Sequence, residues 1–215
     1  MSIDAVSHSK TSVRVMLDEA TIIDLESSNS TVPINASTAE DYYRDANIKY
    51  YELQDISGGL SDYDRAIELD PNHALAYSNR GNIKKDRLQD YHGSLADYDR
   101  AILLNPHDPV TYYNRALLKN IKQDYQGSFA DYNRAIELCP DDADSYNNRA
   151  MLKYLELEDL VGAVEDMQIA RSLYEQQGND ARRVQAIELI ARFQSKIDSS
   201  GLQVDFLKTR SIEEN

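Results

Sequence analysis

Apolar and small residues recur along the middle of the chain with a period of about 34 residues. Each period opens on an aromatic residue, and a small residue follows four positions later. The second half of each period begins with glycine and a small residue, followed by a bulky residue and an alanine. The recurring positions are Tyr42, Tyr77, Tyr112 and Tyr146; Ala46, Gly81, Ala116 and Ala150; Tyr63, Tyr98, Tyr132 and Met167; and Ala66, Ala101, Ala135 and Ala170. A repeat of this length and content predicts stacked helix pairs rather than a catalytic domain.

Proline ends three of the four copies, and it stops a helix and turns the chain into the next pair. These prolines are Pro71, Pro106 and Pro140. The spacing within the copies is uneven, because Gly81 to Ala101 is one residue longer than Ala116 to Ala135. A turn absorbs an extra residue more easily than a packed helix does, so we expect that residue between the two helices.

The segments YSNRGNIK, YYNRALLK and YNNRAMLK occupy the same phase of three copies. Together with the positions above, they resemble the tetratricopeptide repeat, in its bacterial variant with Asn-Arg-Gly and a downstream lysine. The resemblance covers about residues 39–176 and implies an all-α fold, a right-handed α-solenoid of four helix pairs. The repeats are predicted at about 39–72, 73–107, 108–141 and 142–176.

Both ends of the chain differ from the repeats. Residues 1–38 are rich in Ser, Thr and Asp, which favours an acidic, flexible leader; docking on the array or on a partner is the alternative. After the fourth copy, apolar residues at helical spacing predict a capping helix at 177–198: Val184, Ile187, Ile190, Phe193 and Ile197. Residues 199–215 are predicted to form a mobile acidic tail.

Charged residues follow the same period. The pairs Asp62 and Arg80, Asp97 and Arg115, and Asp131 and Arg149 are each 18 residues apart, and the first copy has Asp45 at the arginine position. Because this interval stays constant while the turns vary, we expect each aspartate to pair with the arginine of the next copy in an ion-pair ladder. Such buried pairs contribute more to register than to stability. The alternative is that these charges are solvated and independent.

In tetratricopeptide arrays the first helix of each pair lines a concave groove that binds a peptide. Carried over from that resemblance, the groove positions are Tyr43, Asn47 and Tyr50; Ser78, Asn82 and Lys85; Tyr113, Leu117 and Asn120; and Asn147, Met151 and Tyr154. Asparagine amides both donate and accept, so they suit a peptide backbone, whereas tyrosines and Met151 suit apolar side chains. The alternative for each residue is packing against its neighbours.

Composition narrows the function further. A net charge of −14 argues against nucleic acid and anionic membranes and favours a neutral or basic protein partner. The chain has one cysteine, no apolar run of membrane-spanning length and no signal sequence. These features predict a cytoplasmic protein. The four histidines are scattered, and no phosphate-binding glycine loop or nucleophile motif is present, so we expect no enzyme, metal or cofactor.

The leading interpretation is a non-enzymatic adaptor, scaffold or assembly factor that holds a partner segment in the groove. One alternative is a structural subunit that uses its convex face or its termini. Another is an array autoinhibited by its own leader. The sequence identifies neither the partner nor the oligomeric state.

Overall fold

The computed structural model describes residues 38–200, and this part of the chain is helical with no strand. The all-α fold predicted from the sequence is therefore confirmed. The interpretations of the leader before Thr38 and of the tail after Ser200 lie outside the described residues. None of the helices in the described part is long and apolar enough to cross a membrane.

The chain divides into two compact units, with the boundary between Leu118 and Lys119. In the first unit, α1 packs on α2, α2 on α3, and α3 on α4. The helices of this unit are α1 (Ala39–Asn47), α2 (Ile56–Leu69), α3 (Ala74–Ile83), α4 (Tyr91–Leu104) and the start of α5 (Pro109–Ile121). Its core is built from tyrosines and alanines of the repeat, including Tyr43, Ala46, Tyr63 and Ala66.

The second unit contains the end of α5 and four further helices, with α7 packed on α8 and α8 on α9. These helices are α6 (Tyr125–Leu138), α7 (Ala143–Leu155), α8 (Leu160–Gln176) and α9 (Asp180–Ser200). On α9, Phe193 and Ile197 are buried. Val184 and Ile187 were expected to pack there too, but they lie on the exposed side of α9.

The extra residue of the first two copies lies inside the first helix, so its expected place in the turn is wrong for them. There α1 continues as a π-helical turn over Ile48–Glu52, and α3 continues as one over Lys84–Leu88. A π turn accommodates one added residue by widening the helix. In the fourth copy the residue is accommodated past α7, where the Leu157 amide bonds to the Leu152 carbonyl at 3.2 Å.

The turn itself is the same in all four copies, which explains why the extra residue is taken up before it. A residue with φ between 54° and 63° precedes an aspartate that caps the second helix. In the second copy these are Gln89 and Asp90, and Asp90 accepts a 2.9 Å hydrogen bond from the Gly93 amide. A Cβ on Gly93 would lie 2.1 Å from the Asp90 carboxylate. The first glycine of each second helix therefore makes room for the cap.

Arg80 contacts two helices, but not the aspartate assigned to it from the sequence. Its Nε and Nη2 donate to the carboxylate of Asp97 on α4, at 2.9 and 2.5 Å. Its Nη1 donates to Asp64 on α2 at 2.7 Å. Asp62 instead binds Lys49 at 2.5 Å. Residues two positions apart lie on different sides of a helix, so Asp62 faces α1 and Asp64 faces Arg80.

The same arrangement recurs along the chain, which corrects the predicted partners of the ladder. Arg149 binds Asp166 of its own helix pair at 2.7 and 2.8 Å and Asn133 of the preceding pair at 2.7 Å, rather than Asp131. Arg115 donates to Asp99 of the preceding pair at 2.7 Å. The buried aspartates also bind lysines of their own pairs: Asp97 with Lys84, Asp131 with Lys119, and Asp166 with Lys153. These charges are paired and largely buried, not independently solvated.

Candidate functional site

The predicted groove positions of the first unit lie on α1, α3 and α5, and most of their side chains are buried. Leu117 is the half-buried exception. The buried ones are Tyr43, Asn47, Tyr50, Ser78, Asn82, Lys85 and Tyr113. Neighbouring residues therefore cover much of the surface of these seven side chains, which agrees with the alternative that groove residues pack against their neighbours.

A hydrogen-bonded network joins α1 to α3 and uses two of these residues. The Asn47 carbonyl accepts bonds from the Tyr63 hydroxyl at 2.5 Å and from the Asn79 amide at 3.1 Å. The Asn79 amide also donates to the Tyr43 hydroxyl at 3.2 Å. Burial raises the pKa of Tyr43 and of Tyr63, which keeps both phenols protonated. Asn79 lies in the YSNRGNIK segment, but its structural role was not predicted.

Lys85 is the most deeply placed cation of the predicted groove. Its Nζ lies 3.5 Å from the Asp86 carboxylate, and burial lowers its pKa despite that neighbour. Two residues later, Arg87 reaches α1, where its Nε donates to the Tyr50 hydroxyl at 3.4 Å. Both basic residues come from the π-helical turn of the second copy, so the added residue changes which side chains lie beside α1.

The predicted groove residues of the second unit are more accessible. Asn120 is exposed, and Asn147 and Met151 are half-buried on the same side of α7, four positions apart. Tyr154 is the exception, since its ring stacks on Phe193 of α9 at 4.2 Å. The Asn147 amide donates to the Asn148 side chain at 3.3 Å, and Met151 packs against the buried cluster of this unit, so part of each side chain is already engaged.

Exposed leucines form a feature that the sequence pattern did not single out. Leu53 and Leu88 lie at the ends of first helices, and Leu69 and Leu103 lie near the ends of second helices. Leu103 is 72% exposed. The sequence could have indicated these leucines, because they lie outside the apolar positions that recur in every copy. Within residues 38–200, no group of three or more histidine, cysteine, aspartate or glutamate side chains is arranged to hold a metal ion.

Comparison with known proteins agrees with this architecture. A family model described as TPR repeat matches residues 49–86 and 119–155. Comparison with curated protein sequences gives no significant match. The chain thus contains tetratricopeptide repeats over these residues, a class of helical repeat whose stacked copies form extended binding surfaces.

Solved structures with the same fold share little sequence with the chain. A crystal structure of MamA protein matches with a TM-score of 0.57 and 16% identity, over 77% of this chain and 97% of that one. MamA 41-end from Desulfovibrio magneticus RS-1 gives 0.58 and 19%, over 65% and 77%. The first TPR of Spaghetti (RPAP3), bound to an HSP90 peptide, gives 0.52 and 21%, over 56% and 94%. At these identities the likeness defines the fold alone.

Proposed function

We propose that the protein is a non-enzymatic interaction module that binds a peptide segment of a partner protein along its first helices. The repeat class supports this proposal, because stacked helix pairs of this kind are binding scaffolds. The observation that carries it is the pair Asn147 and Met151, which are half-buried on the same side of α7. An amide suits a peptide backbone, and a methionine adapts to varied apolar side chains.

The net charge of −14 favours a neutral or basic partner segment over an acidic one. The proposed setting is the cytoplasm, where the Cys139 thiol stays reduced and forms no disulfide. An adaptor, a scaffold and an assembly factor all use such a surface, and the partner distinguishes them.

Selection of binding peptides tests the proposal even though the partner is unidentified. The full-length chain is immobilised, peptides are selected from a random displayed library, and the Kd of each is measured by fluorescence anisotropy. The double variant Asn147→Ala with Met151→Ala removes both accessible side chains. We expect the selected peptides to bind this variant about tenfold more weakly, because a few central contacts dominate such interfaces.

A matched control comes from the second helix of the same pair. Glu165 and Gln168 are exposed on α8, and the double variant Glu165→Ala with Gln168→Ala should leave each Kd within about twofold. Equal weakening by both double variants, or a selection that returns no peptide, would contradict binding along the first helices.

A second candidate function is a structural subunit that associates through its second helices. Exposed Leu69 and Leu103 on α2 and α4 favour it, because exposed apolar side chains suit a protein contact. Replacement of both by glutamate should then prevent assembly into the larger complex while peptide binding persists. Autoinhibition by the leader concerns residues before Thr38, which lie outside the described part of the chain.

A further inference from the structure

The last described helix, α9, contacts its neighbours by two of its sides. One side packs on α8, and its buried residues are Ala186, Phe193 and Ile197. A second side lies beside α7, where the Arg192 guanidinium and the Lys196 ammonium lie 5.9 and 4.7 Å from the Tyr154 ring. These contacts leave a third side of α9 that the described residues do not cover.

This third side of α9 is apolar. Val184 is 46% exposed, Ile187 is 43% exposed, and Ala191 is exposed as well. Residues three and four positions apart share one face of a helix, so these three side chains form a continuous α9 stripe over two turns. Single exposed apolar residues are common on proteins, whereas a contiguous set indicates a contact surface.

The position of α9 in the array explains why this side is open. In the preceding pairs the first helix packs on the second helix of its own pair, as α3 does on α4 and α7 does on α8. The helix α9 follows α8 as a first helix would, and no second helix follows it in the described part of the chain. The last helix of such an array exposes an apolar face unless something covers it.

The α9 stripe is too small to hold a second copy of the chain by itself. A stable interface buries about 800 Å² on each partner and involves roughly 20–30 residues a side. Three side chains on two helical turns supply only a small part of such an area. A short segment is therefore the occupant that matches the size of this surface.

The segment that directly follows α9 has a matching pattern. Leu202, Val204 and Phe206 alternate with polar residues, so an extended chain presents all three apolar side chains on one side. Gly201 precedes them, and glycine is the residue found most often where a helix ends and the chain changes direction. The sequence after α9 thus suits a reversal followed by an apolar contact.

The lengths of the two segments also agree. From Ser200 back to Ile187 the helix extends about 20 Å, at about 1.5 Å per residue. From Ser200 on to Phe206 an extended chain covers about 20 Å as well, at about 3.3 Å per residue. By the same count Val204 reaches the level of Ala191. An extended segment that reverses after α9 therefore brings its apolar side chains to those of the stripe.

We propose that residues 201–207 fold back along α9 and dock on the α9 stripe, with Phe206 on Ile187 and Val204 on Ala191. This strap takes the place of the second helix that α9 lacks, and it covers the end of the array against a further copy or a partner. It replaces the mobile tail that composition favours for these residues. The proposal does not rest on peptide binding, because the stripe and the surface beside α7 are different sides of α9.

Disulfide trapping tests the strap in the full-length chain. Cys139→Ser removes the native cysteine, and Ile187→Cys with Phe206→Cys then introduces one pair of thiols. A disulfide needs Cα atoms about 4.4–6.8 Å apart, a separation that the docked strap supplies. Dilute protein is oxidised mildly, and the cross-linked fraction is followed over time by non-reducing electrophoresis and mass spectrometry.

Ile169→Cys with Phe206→Cys is the matched control, because Ile169 is an isoleucine of α8 that is 41% exposed. We expect the Ile187 pair to cross-link within one chain about tenfold faster, since docking raises the effective concentration of its two thiols. Equal rates for the two pairs, or no disulfide in either, would overturn the strap. A disulfide of the Ile187 pair that joins two chains would also overturn it and assign the stripe to a second copy.

Thermal unfolding gives a second measurement that needs no introduced thiols. Ile187→Ala and Phe206→Ala should each lower Tm by about 3 °C. The double variant should lower it little further, because either substitution removes the same contact. Ile169→Ala combined with Phe206→Ala should instead give losses that add. Additive losses for Ile187→Ala and Phe206→Ala, or an unchanged Tm for Phe206→Ala, would contradict docking on the stripe.

Discussion

The first helices α1 and α3 have the same register, yet they differ at two positions that decide the chemistry of their repeats. Tyr43 of α1 is replaced by Ser78 in α3, and Asp45 is replaced by Arg80. Between α1 and α3 the Asn79 amide donates to the Tyr43 hydroxyl, whereas its equivalent 35 residues later, Asn114 on α5, is buried without a hydrogen-bond partner. The apolar positions hold the register, and the polar positions beside them are free to diverge.

The second difference changes how a buried aspartate is neutralised. Asp97 on α4 binds both Arg80 and Lys84, whereas its equivalent Asp62 on α2 binds Lys49. Asp45 adds a second carboxylate near Asp62, and burial together with this neighbour raises the pKa of Asp45. The second repeat therefore has a cation where the first has a repulsive charge.

Arg80→Leu is expected to have the largest effect, because it removes the bidentate partner of a buried carboxylate. Asp97 would keep only Lys84, and Asp64 would lose its bond to α3. Loss of one partner from a buried pair costs about 3 kcal/mol of unfolding free energy. Urea denaturation followed by far-UV circular dichroism measures this loss.

Arg44→Leu on α1 is the matched control for this variant. Arg44 pairs with Glu40 at 3.3 Å, and both side chains are more than half exposed. An exposed pair of this kind contributes less than about 1 kcal/mol. Similar losses for Arg80→Leu and Arg44→Leu would show that the Arg80 bonds do not stabilise the second repeat.

Asn79→Leu and Asn114→Leu should have effects of opposite sign. The Asn79 amide donates to Tyr43 and Asn47 between α1 and α3. Its replacement by leucine removes this buried donor and should lower the unfolding free energy by about 2 kcal/mol. Asn114 has no partner, and leucine of similar shape should raise that energy by about 1 kcal/mol. Thermal unfolding of the two variants and the wild type, under the same conditions, measures both changes in stability. A loss for both would mean that the Asn114 amide is satisfied in solution.

The sequence predicts the fold because the repeat period is carried by apolar and small residues whose spacing survives in every copy. It does not predict which charges meet. Asp62 and Asp64 differ by two positions, and only the helix orientation decides that Asp64 faces Arg80. The repeat pattern did not predict accessibility either, because Asn82 and Asn120 were both assigned to the groove, although Asn82 is fully buried and Asn120 is exposed. Burial depends on neighbours that lie far apart in the chain.

Asp45→Arg should give the first repeat the arginine that the second one has. By its register the new guanidinium would lie beside Asp62, as Arg80 lies beside Asp97, and it would replace a repulsive charge with an attractive one. We expect a gain of about 1 kcal/mol in unfolding free energy, smaller than the losses for Arg80→Leu and Asn79→Leu. Glu52→Arg makes the same change of charge at an exposed position of the π-helical turn that continues α1, so it controls for net charge.

The pH dependence of Asp45→Asn separates the repulsion from the new ion pair. Because the pKa of Asp45 is raised in the folded state, that state binds the proton more readily than the unfolded chain does. Wild-type stability should therefore fall relative to Asp45→Asn as pH rises above the ordinary pKa of an aspartate, about 3.9. At pH 7 the Tm of Asp45→Arg should be higher than that of Asp45→Asn, because only the arginine donates to Asp62. If the two variants have equal Tm values at pH 7, each above that of the wild type, relief of repulsion alone accounts for the gain. The arginine of the other repeats would then stabilise the fold through its bond to the preceding helix pair.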